Sequence, residues 1–399
     1  MAVSFVNRMS NTHRNLEATL EQIAQSIFNP DTHKKKMRHF SSKEVSELIG
    51  ITEGYLRKLN AEGHIPPGEK LANNNRVYSV DDIEQIRLFL SKGGKSTEYW
   101  KRRREGEECI VLGIANFKGG SAKTTTSIHL AQRLALEGLR VLAVDLDPQG
   151  SLTSLMGLSP LLLKMEKSKT LYDAIKYTGE PCEAHEAIRS THLKGLDIAP
   201  ADLRLQDFEQ ESLMAKQEMR FYEQIEKCVG AVRADYDVIV LDFPPQLGDL
   251  AMNAMVVVNA LIVTVHPQML DVMSMSTFHE QLATFLSAAE QGYREALNEP
   301  DWTFQLYFVK YLLTRYSKSE FSQSEISDYL RQLLGDDVLK AEQVQSAAIT
   351  EASMRHQTLY EIDKPGGSKQ TYNRAMESMN AVNTEILGLI TDAWGRKNG

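Results

Sequence analysis

The sequence predicts an α/β protein: a mostly parallel sheet flanked by helices, preceded by an N-terminal helix and a small, largely helical module. Three observations predict it. From Cys109 onward, short apolar runs alternate with helix-length amphipathic ones, the pattern of strand–helix–strand units. Over residues 40–90, two short apolar-periodic stretches are separated by Gly50 and followed by a Pro-, Gly- and Asn-rich segment. Near the start, Leu16, Leu20, Ile23 and Ile27 recur at spacings of four, three and four, one stripe of a helix over residues 15–28 that Pro30 ends.

With 399 residues, 42% of them hydrophobic, the chain can bury a sizeable core and hold more than one domain. No unbroken apolar run approaches the roughly 20 residues that span a bilayer, and MAVSFVNRMSNTHRN is too polar for a secretory signal, so a cytoplasmic protein is expected. Cys109, Cys182 and Cys228 stand far apart without a CxxC pair, which suggests buried, inert thiols rather than disulfides or a zinc site. The net charge of −8 argues against a uniformly basic nucleic-acid binder but averages over segments of opposite sign.

The N-terminal stripe either docks on its own domain or forms a short two-helix seam between protomers. In the following module, Ser41 or Ser42 can cap a helix carrying Val45, Leu48 and Ile49, and Gly50 can end it in a left-handed turn. Thr52 then caps a second helix, TEGYLRKLNAEG, in which Tyr55, Leu56 and Leu59 can face inward and Arg57 and Lys58 outward. Helix, short turn, helix is the geometry that places the second helix in a major groove, so Thr52, Tyr55, Arg57 and Lys58 are candidate DNA contacts. HIPPGEKLANNNRVYS reads as a turn between two extended pieces, with Arg76 and Tyr78 set to meet phosphate or the minor groove. Ser79 caps a closing helix. These residues resemble a winged helix-turn-helix of the MerR type.

The expected organisation is an N-terminal helix over residues 1–37, the DNA-binding module over 38–91, a basic linker over 92–106 and a nucleotide-binding domain over 107–399. The linker ends in the four cations of KRRR, which beside a DNA reader are candidates for phosphate contact.

In the last domain the apolar run CIVLGIAN delivers the chain to Lys118, Gly119, Gly120, Ser121, Ala122, Lys123, Thr124 and Thr125, and SIHLAQRLALEG follows as a helix. A loop between a strand end and a helix start presents unpaired amides and the positive helix end to one point, which suits phosphate. Lys123 can reach the β and γ phosphates, and Thr124 can place its hydroxyl on magnesium. The ordinary phosphate-loop pattern is not met, because Phe117 holds the position of its first glycine and Ala122 that of its last; a methyl at Ala122 is tolerable if its φ is negative. Two further strands end in carboxylates: RVLAVDLDPQG in Asp145 and Asp147, and YDVIVLDFPPQLGD in Asp242. Carboxylates at that sheet edge can hold magnesium through water or orient a nucleophile.

The loop fits the deviant Walker motif KGGxxKTT, whose additional lysine is Lys118. The chain resembles the deviant Walker ATPases of the ParA and MinD group, within the P-loop NTPase fold, and with its N-terminal winged helix is similar to the large plasmid-partition ATPases, those of repABC operons among them. That resemblance implies ATP or ADP with magnesium as ligands, held by residues 118–125, and a homodimer in which Lys118 reaches the partner's nucleotide. It also implies that Asp147 positions the attacking water, that Thr124, Asp145 and Asp242 hold the metal shell, and that Pro267 and Thr314 lie near the nucleotide, Thr314 and Arg315 as base-contact candidates. Hydrolysis is expected to be slow, since no arginine stands within the motifs. The implied function is plasmid segregation: an ATP-bound dimer on DNA without sequence preference, stimulated by a centromere-binding partner of the ParB or RepB type, with repression of its own operon through the winged helix. Arg331, Lys340, Arg355, Lys364 and Lys369 are candidates for the nonspecific DNA surface. The competing readings are a repressor that uses nucleotide only as a switch, and a membrane-cycling relative of MinD, whose tail here would rest on Ile386, Leu389, Ile390 and Trp394 with Arg396 and Lys397.

Overall fold

The structure, a computed structural model, describes residues 4–28, 35–72, 74–92, 99–116, 118–215 and 223–396. Pro30, Phe117 and Lys397, each given a part above, lie outside them.

Helix α1, Phe5–Ile27, is longer than its apolar stripe, and the stripe stays in solvent: Leu16, Leu20, Ile23 and Ile27 are 55%, 51%, 47% and 38% exposed, while Ala24 is buried. The helix meets Pro160–Met165 of the large domain around the buried Ala24, and that contact leaves most of the stripe open.

The DNA-binding module follows. Strand β1 (Phe40–Ser41) leads into α2 (Ser42–Ile49), where Ser41 and Glu44 form a capping box and Gly50 closes the helix at φ 79°. Thr52 accepts a hydrogen bond from the Tyr55 amide at the start of α3 (Glu53–Ala61). Strands β2 (Glu69–Lys70) and β3 (Arg76–Tyr78) make the wing, in a three-stranded sheet ordered β1-β3-β2. Helix α4, Val80–Ser91, starts at a second capping box, Ser79 with Asp82. Phe40, Val45, Leu48, Leu56, Tyr78, Ile83 and Ile86 belong to one apolar cluster that continues into the large domain without a break.

The large domain is built on seven strands ordered β10-β9-β4-β8-β5-β7-β6. They are β4 (Ile110–Ala115), β5 (Val141–Asp145), β6 (Arg189–Ser190), β7 (Leu196–Ala199), β8 (Val238–Asp242), β9 (Ala260–Val265) and β10 (Phe308–Leu313). All pair in parallel except the edge strand β6. Strand β4 is buried on both faces: Ile110, Leu112 and Ile114 point into one core, Val111 and Ala115 into the other. The first core is covered by α5 (Lys123–Leu136) and by the long C-terminal helix, and the second by helices that include α6 (Met269–Leu297).

That C-terminal helix, α7 (Lys369–Ala393), packs Ile386 and Ile390 fully inside, and Trp394 beyond its end donates its indole N–H to the Glu108 carbonyl at 2.8 Å. Its apolar face is occupied by its own core, which removes the free tail that the membrane-cycling reading required. No helix among the described residues is long and apolar enough to cross a membrane. Cys109 is buried as expected, but Cys182 and Cys228 are only half-buried.

Candidate nucleotide site and DNA-binding module

Because β4, β8 and β5 are parallel neighbours, their carboxyl ends share one edge, and the register sets Asp145 directly opposite Asp242 and Ile114 opposite Asp242. The loop after β4, the carboxylate of β8 and the carboxylates after β5 are thereby brought together.

The loop leaves β4 through Asn116, whose amide donates to the Thr264 carbonyl while its Oδ1 accepts from the Lys118 N–H at 3.0 Å. It then turns through two left-handed residues, Gly120 at φ 78° and Ala122 at φ 66°. The negative φ that would have made the Ala122 methyl harmless is therefore not adopted. The closure into α5 demands the left-handed conformation, and the carbonyl of Ala122 then accepts from both the N–H and the hydroxyl of Thr126.

Lys123 opens α5 and is buried, its Nζ donating to the Lys118 carbonyl at 3.2 Å across the loop. Burial lowers its pKa, against the pull of Asp242 and Asp147. Asp242 is fully buried, and its Oδ1 accepts from Ser127 at 2.8 Å. Burial raises its pKa, opposed by the hydroxyls of Thr124 and Ser127 and by the Lys123 charge. Oδ2 of Asp242, also buried, has no hydrogen-bond partner. Asp145 is more committed: Oδ2 accepts from the Thr153 N–H and hydroxyl, Oδ1 from the Asp147 N–H. Burial and then the neighbouring Asp242 raise its pKa. Asp147 stands half-buried beyond the strand and accepts from the Gln149 N–H at 2.9 Å.

Two buried carboxylates side by side, one oxygen unpartnered, with the Thr124 hydroxyl at hand, form a donor set that suits magnesium. No group of three His, Cys, Asp or Glu able to hold a metal occurs among the described residues. Magnesium takes one or two protein oxygens and the remainder from phosphate and water, so it is the Asp242 oxygen and the Thr124 hydroxyl that would carry it.

Lys118 turns its ammonium to Asp271, a buried carboxylate at the start of α6, where His266 stands 3.4 Å from the other oxygen. Nothing in the spacing of the motifs pointed to Asp271, and Ser127 and Thr153 were missed as well. Of these, only Ser127 had a legible signal, lying one helical turn after Lys123 on the same face. Pro267 is buried in the turn between β9 and α6. Thr314 is fully buried with its hydroxyl on the Ser121 carbonyl, so it supports the loop and is not available to a base. Arg315 donates to the Gly120 carbonyl.

In the DNA-binding module, Arg57 and Lys58 project from α3, 75% and 67% exposed, with only loose contacts to Glu53 and Glu62. Tyr55 is exposed beside them rather than turned inward with Leu56 and Leu59. Tyr78 is corrected in the other direction. It is 1% exposed, because successive residues of a strand face opposite sides and Tyr78 takes the inner one. Arg76 donates to the Pro67 carbonyl and so braces the wing.

The basic run that ends the linker is held by its own chain at three of its four cations. Lys101 pairs with Glu137 at 2.7 Å, Arg102 lies over the Trp100 ring at 4.3 Å, and Arg103 bonds the Arg233 carbonyl at 3.1 Å. Those three cations are therefore not free for phosphate. Arg331 and Arg355 likewise pair with Glu342 and Glu351.

The fold and the loop define a P-loop nucleotide-binding protein of the deviant Walker kind, carrying a helix-turn-helix module in front. Residues 109–294 match the family model described as AAA domain, and residues 40–91 the model of the MerR HTH family regulatory proteins. A "Putative replication protein A" of Sinorhizobium fredii is 39% identical over 376 residues, covering 92% of this chain and 90% of that protein. Protein SopA of Escherichia coli K12 is 31% identical over 390 residues, covering 93% and 94%. A solved structure called Partition Protein matches with a TM-score of 0.61 over 97% of this chain and 99% of its own, at 15% identity, and an ATP complex of McdA from Cyanothece with 0.54 over 74% and 99%, at 18%. At such identities these two speak for the fold alone. The chain belongs to the ParA family of partition ATPases, in the large form that carries an N-terminal helix-turn-helix.

Proposed function

We propose that this chain hydrolyses ATP slowly, with magnesium, to segregate plasmid DNA, and that it represses its own operon through the winged helix. The observation that carries the reading is the meeting of the lysine-bearing loop, Asp242 and the Asp145–Asp147 turn at one sheet edge. In this reading the loop amides and Lys123 bind the phosphates. Thr124, Asp242 and, through water, Asp145 hold the magnesium, which when bound neutralises charge on the transferring phosphoryl group. Asp147, the less buried carboxylate, orients the attacking water. Lys118 serves a second protomer: its side chain is 40% exposed and its ammonium is held by one carboxylate, so dimerisation exchanges Asp271 for the partner's nucleotide. Without an arginine in the motifs, hydrolysis waits on a ParB-type partner.

Outward-facing Arg57 and Lys58 favour operator binding as the second task, and the ATP-bound dimer would hold other DNA without sequence preference. The test is ATP turnover of the full chain with DNA and with the product of the adjacent gene, alone and together. We expect strong joint stimulation, at least 100-fold loss of turnover in Lys123→Ala, on the order of a major phosphate contact, and loss of operator binding without loss of turnover in Arg57→Ala. Normal turnover by Lys123→Ala would refute the site.

A further inference from the structure

At the carboxyl end of β10 two successive residues hold the back of the phosphate loop at two successive carbonyls. Thr314 Oγ1 donates to Ser121 O at 2.9 Å, and Arg315 Nη1 donates to Gly120 O at 3.1 Å. Thr314 is itself fixed: it is fully buried, and its N–H donates to the Val265 carbonyl at 2.8 Å. A third contact, from Thr264 Oγ1 to Ser121 Oγ at 3.0 Å, comes from the neighbouring strand. Arg315 takes φ 52°, a left-handed conformation that a residue with a Cβ adopts at a cost, and the next residue, Tyr316, is locked by donating its N–H to the Gln343 carbonyl. The strained backbone is what aims the guanidinium at Gly120.

The consequence follows from the planarity of the peptide group, in which a carbonyl and the N–H after it point in opposite directions. Pinning the oxygens of Gly120 and Ser121 toward β10 turns the N–H groups of Ser121 and Ala122 away from it, into the hollow of the loop. A loop with free carbonyls would have to fix those planes when the anion arrives, at an entropic cost taken from binding.

We propose that Arg315, together with Thr314, is a positioning residue for the phosphate loop, keeping its amides turned toward the phosphates before nucleotide binds. This rests on the assignment of the loop as the nucleotide site. It replaces the expected part of both residues as base contacts.

The test measures binding of ADP and ATP to the full chain, with KM and kcat, for Arg315→Ala, Arg315→Gly, Arg315→Lys and Thr314→Val. Loss of either brace should weaken nucleotide binding and raise KM by about tenfold, the scale of one charge-assisted or buried hydrogen bond, and leave kcat at saturating ATP within about twofold. Arg315→Lys should recover part of the affinity. Arg315→Gly accepts the left-handed backbone freely, so it separates the guanidinium from the turn: full affinity in Arg315→Gly would show that only the turn matters and would overturn the proposal. Thr314→Val removes a hydroxyl that is sealed behind the loop, so unchanged affinity there would also overturn it, leaving Arg315 as a direct ligand contact. If the unsubstituted chain binds no nucleotide, or Lys123→Ala binds it equally well, the site assignment falls and this proposal with it. Failure of the brace alone appears only where the unsubstituted chain binds and Lys123→Ala does not.

Discussion

At Ala122 the loop requires a conformation that its residue resists. The φ of 66° lets the Ala122 carbonyl receive Thr126 and start α5, but it brings the methyl against its own backbone, at a cost of about 1–2 kcal/mol. Glycine would remove that cost and return part of it as unfolded-state entropy. Ala122→Gly is therefore expected to stabilise the nucleotide-free protein by about 0.5–1 kcal/mol in urea unfolding. It should leave ADP affinity unchanged, since the backbone path is kept. A destabilised Ala122→Gly would mean that the methyl makes contacts worth more than the strain.

Among the described residues, the apolar stripe of α1 is only partly covered, by Pro160–Met165 at Ala24. Four large aliphatic side chains lie on one stripe with between 38% and 55% of their surface in water, an arrangement that a second copy of the same helix can bury. A seam of about two heptads is weak alone, so its replacement should show in assembly and not in folding. Leu20→Glu with Ile23→Glu is expected to weaken self-association of the nucleotide-free chain by at least about tenfold in sedimentation, with nucleotide binding and thermal midpoint unchanged. Undiminished association would assign dimer formation elsewhere. The stripe itself was plain in the sequence, as were the strands whose apolar runs end at Asp145 and Asp242, and the helices that start at Ser41, Thr52 and Ser79, because each signal lies within a few residues. What the sequence did not disclose depends on distant partners. The run Lys101, Arg102, Arg103 looked free for phosphate until Glu137, Trp100 and the Arg233 carbonyl were seen to hold it. Lys118 and Asp271, or Gly120 and Arg315, meet only because β9 lies beside β4 and β10 beside β9. Tyr55 and Tyr78 were misplaced for a local reason: in elements this short one residue of rotation or alternation decides which aromatic is inside.

Over the whole molecule, α5 is the beam that joins the nucleotide loop to the DNA-binding module. Its far face meets the segment Leu359–Glu361 through a set of buried polar contacts. His129 Nδ1 lies 2.8 Å from the Thr125 carbonyl and must donate there, so Nε2 is the lone pair that accepts the Leu359 N–H at 3.1 Å. Gln132 donates to Glu361, which also receives Lys35 at 2.9 Å and stands 2.8 Å from His192. The next residues toward the module, from Arg38 on, are tied to the same segment by the Arg38 N–H on the Tyr360 carbonyl at 3.0 Å. His129 has to be neutral for this joint to close, and its complete burial pushes its pKa down to about 4. The unfolded chain would then bind a proton near 6.5 that the folded chain refuses, so stability is complete above about pH 6.5 and falls as the pH drops toward 4, by about 3 kcal/mol at most from this residue. Glu361, whose carboxyl burial pushes up but His192 and Lys35 hold below its ordinary value, adds its own loss only below about pH 4.5. The interval between pH 6.5 and 4.5 is therefore where His129 is legible. His129→Asn keeps a donor for Thr125 and cannot charge. Urea unfolding across that interval should show a slope that is flatter in His129→Asn than in the unsubstituted chain, with operator binding declining in parallel with stability only in the latter. Equal slopes in the two proteins would place the acid sensitivity at other histidines and free this joint from any part in it.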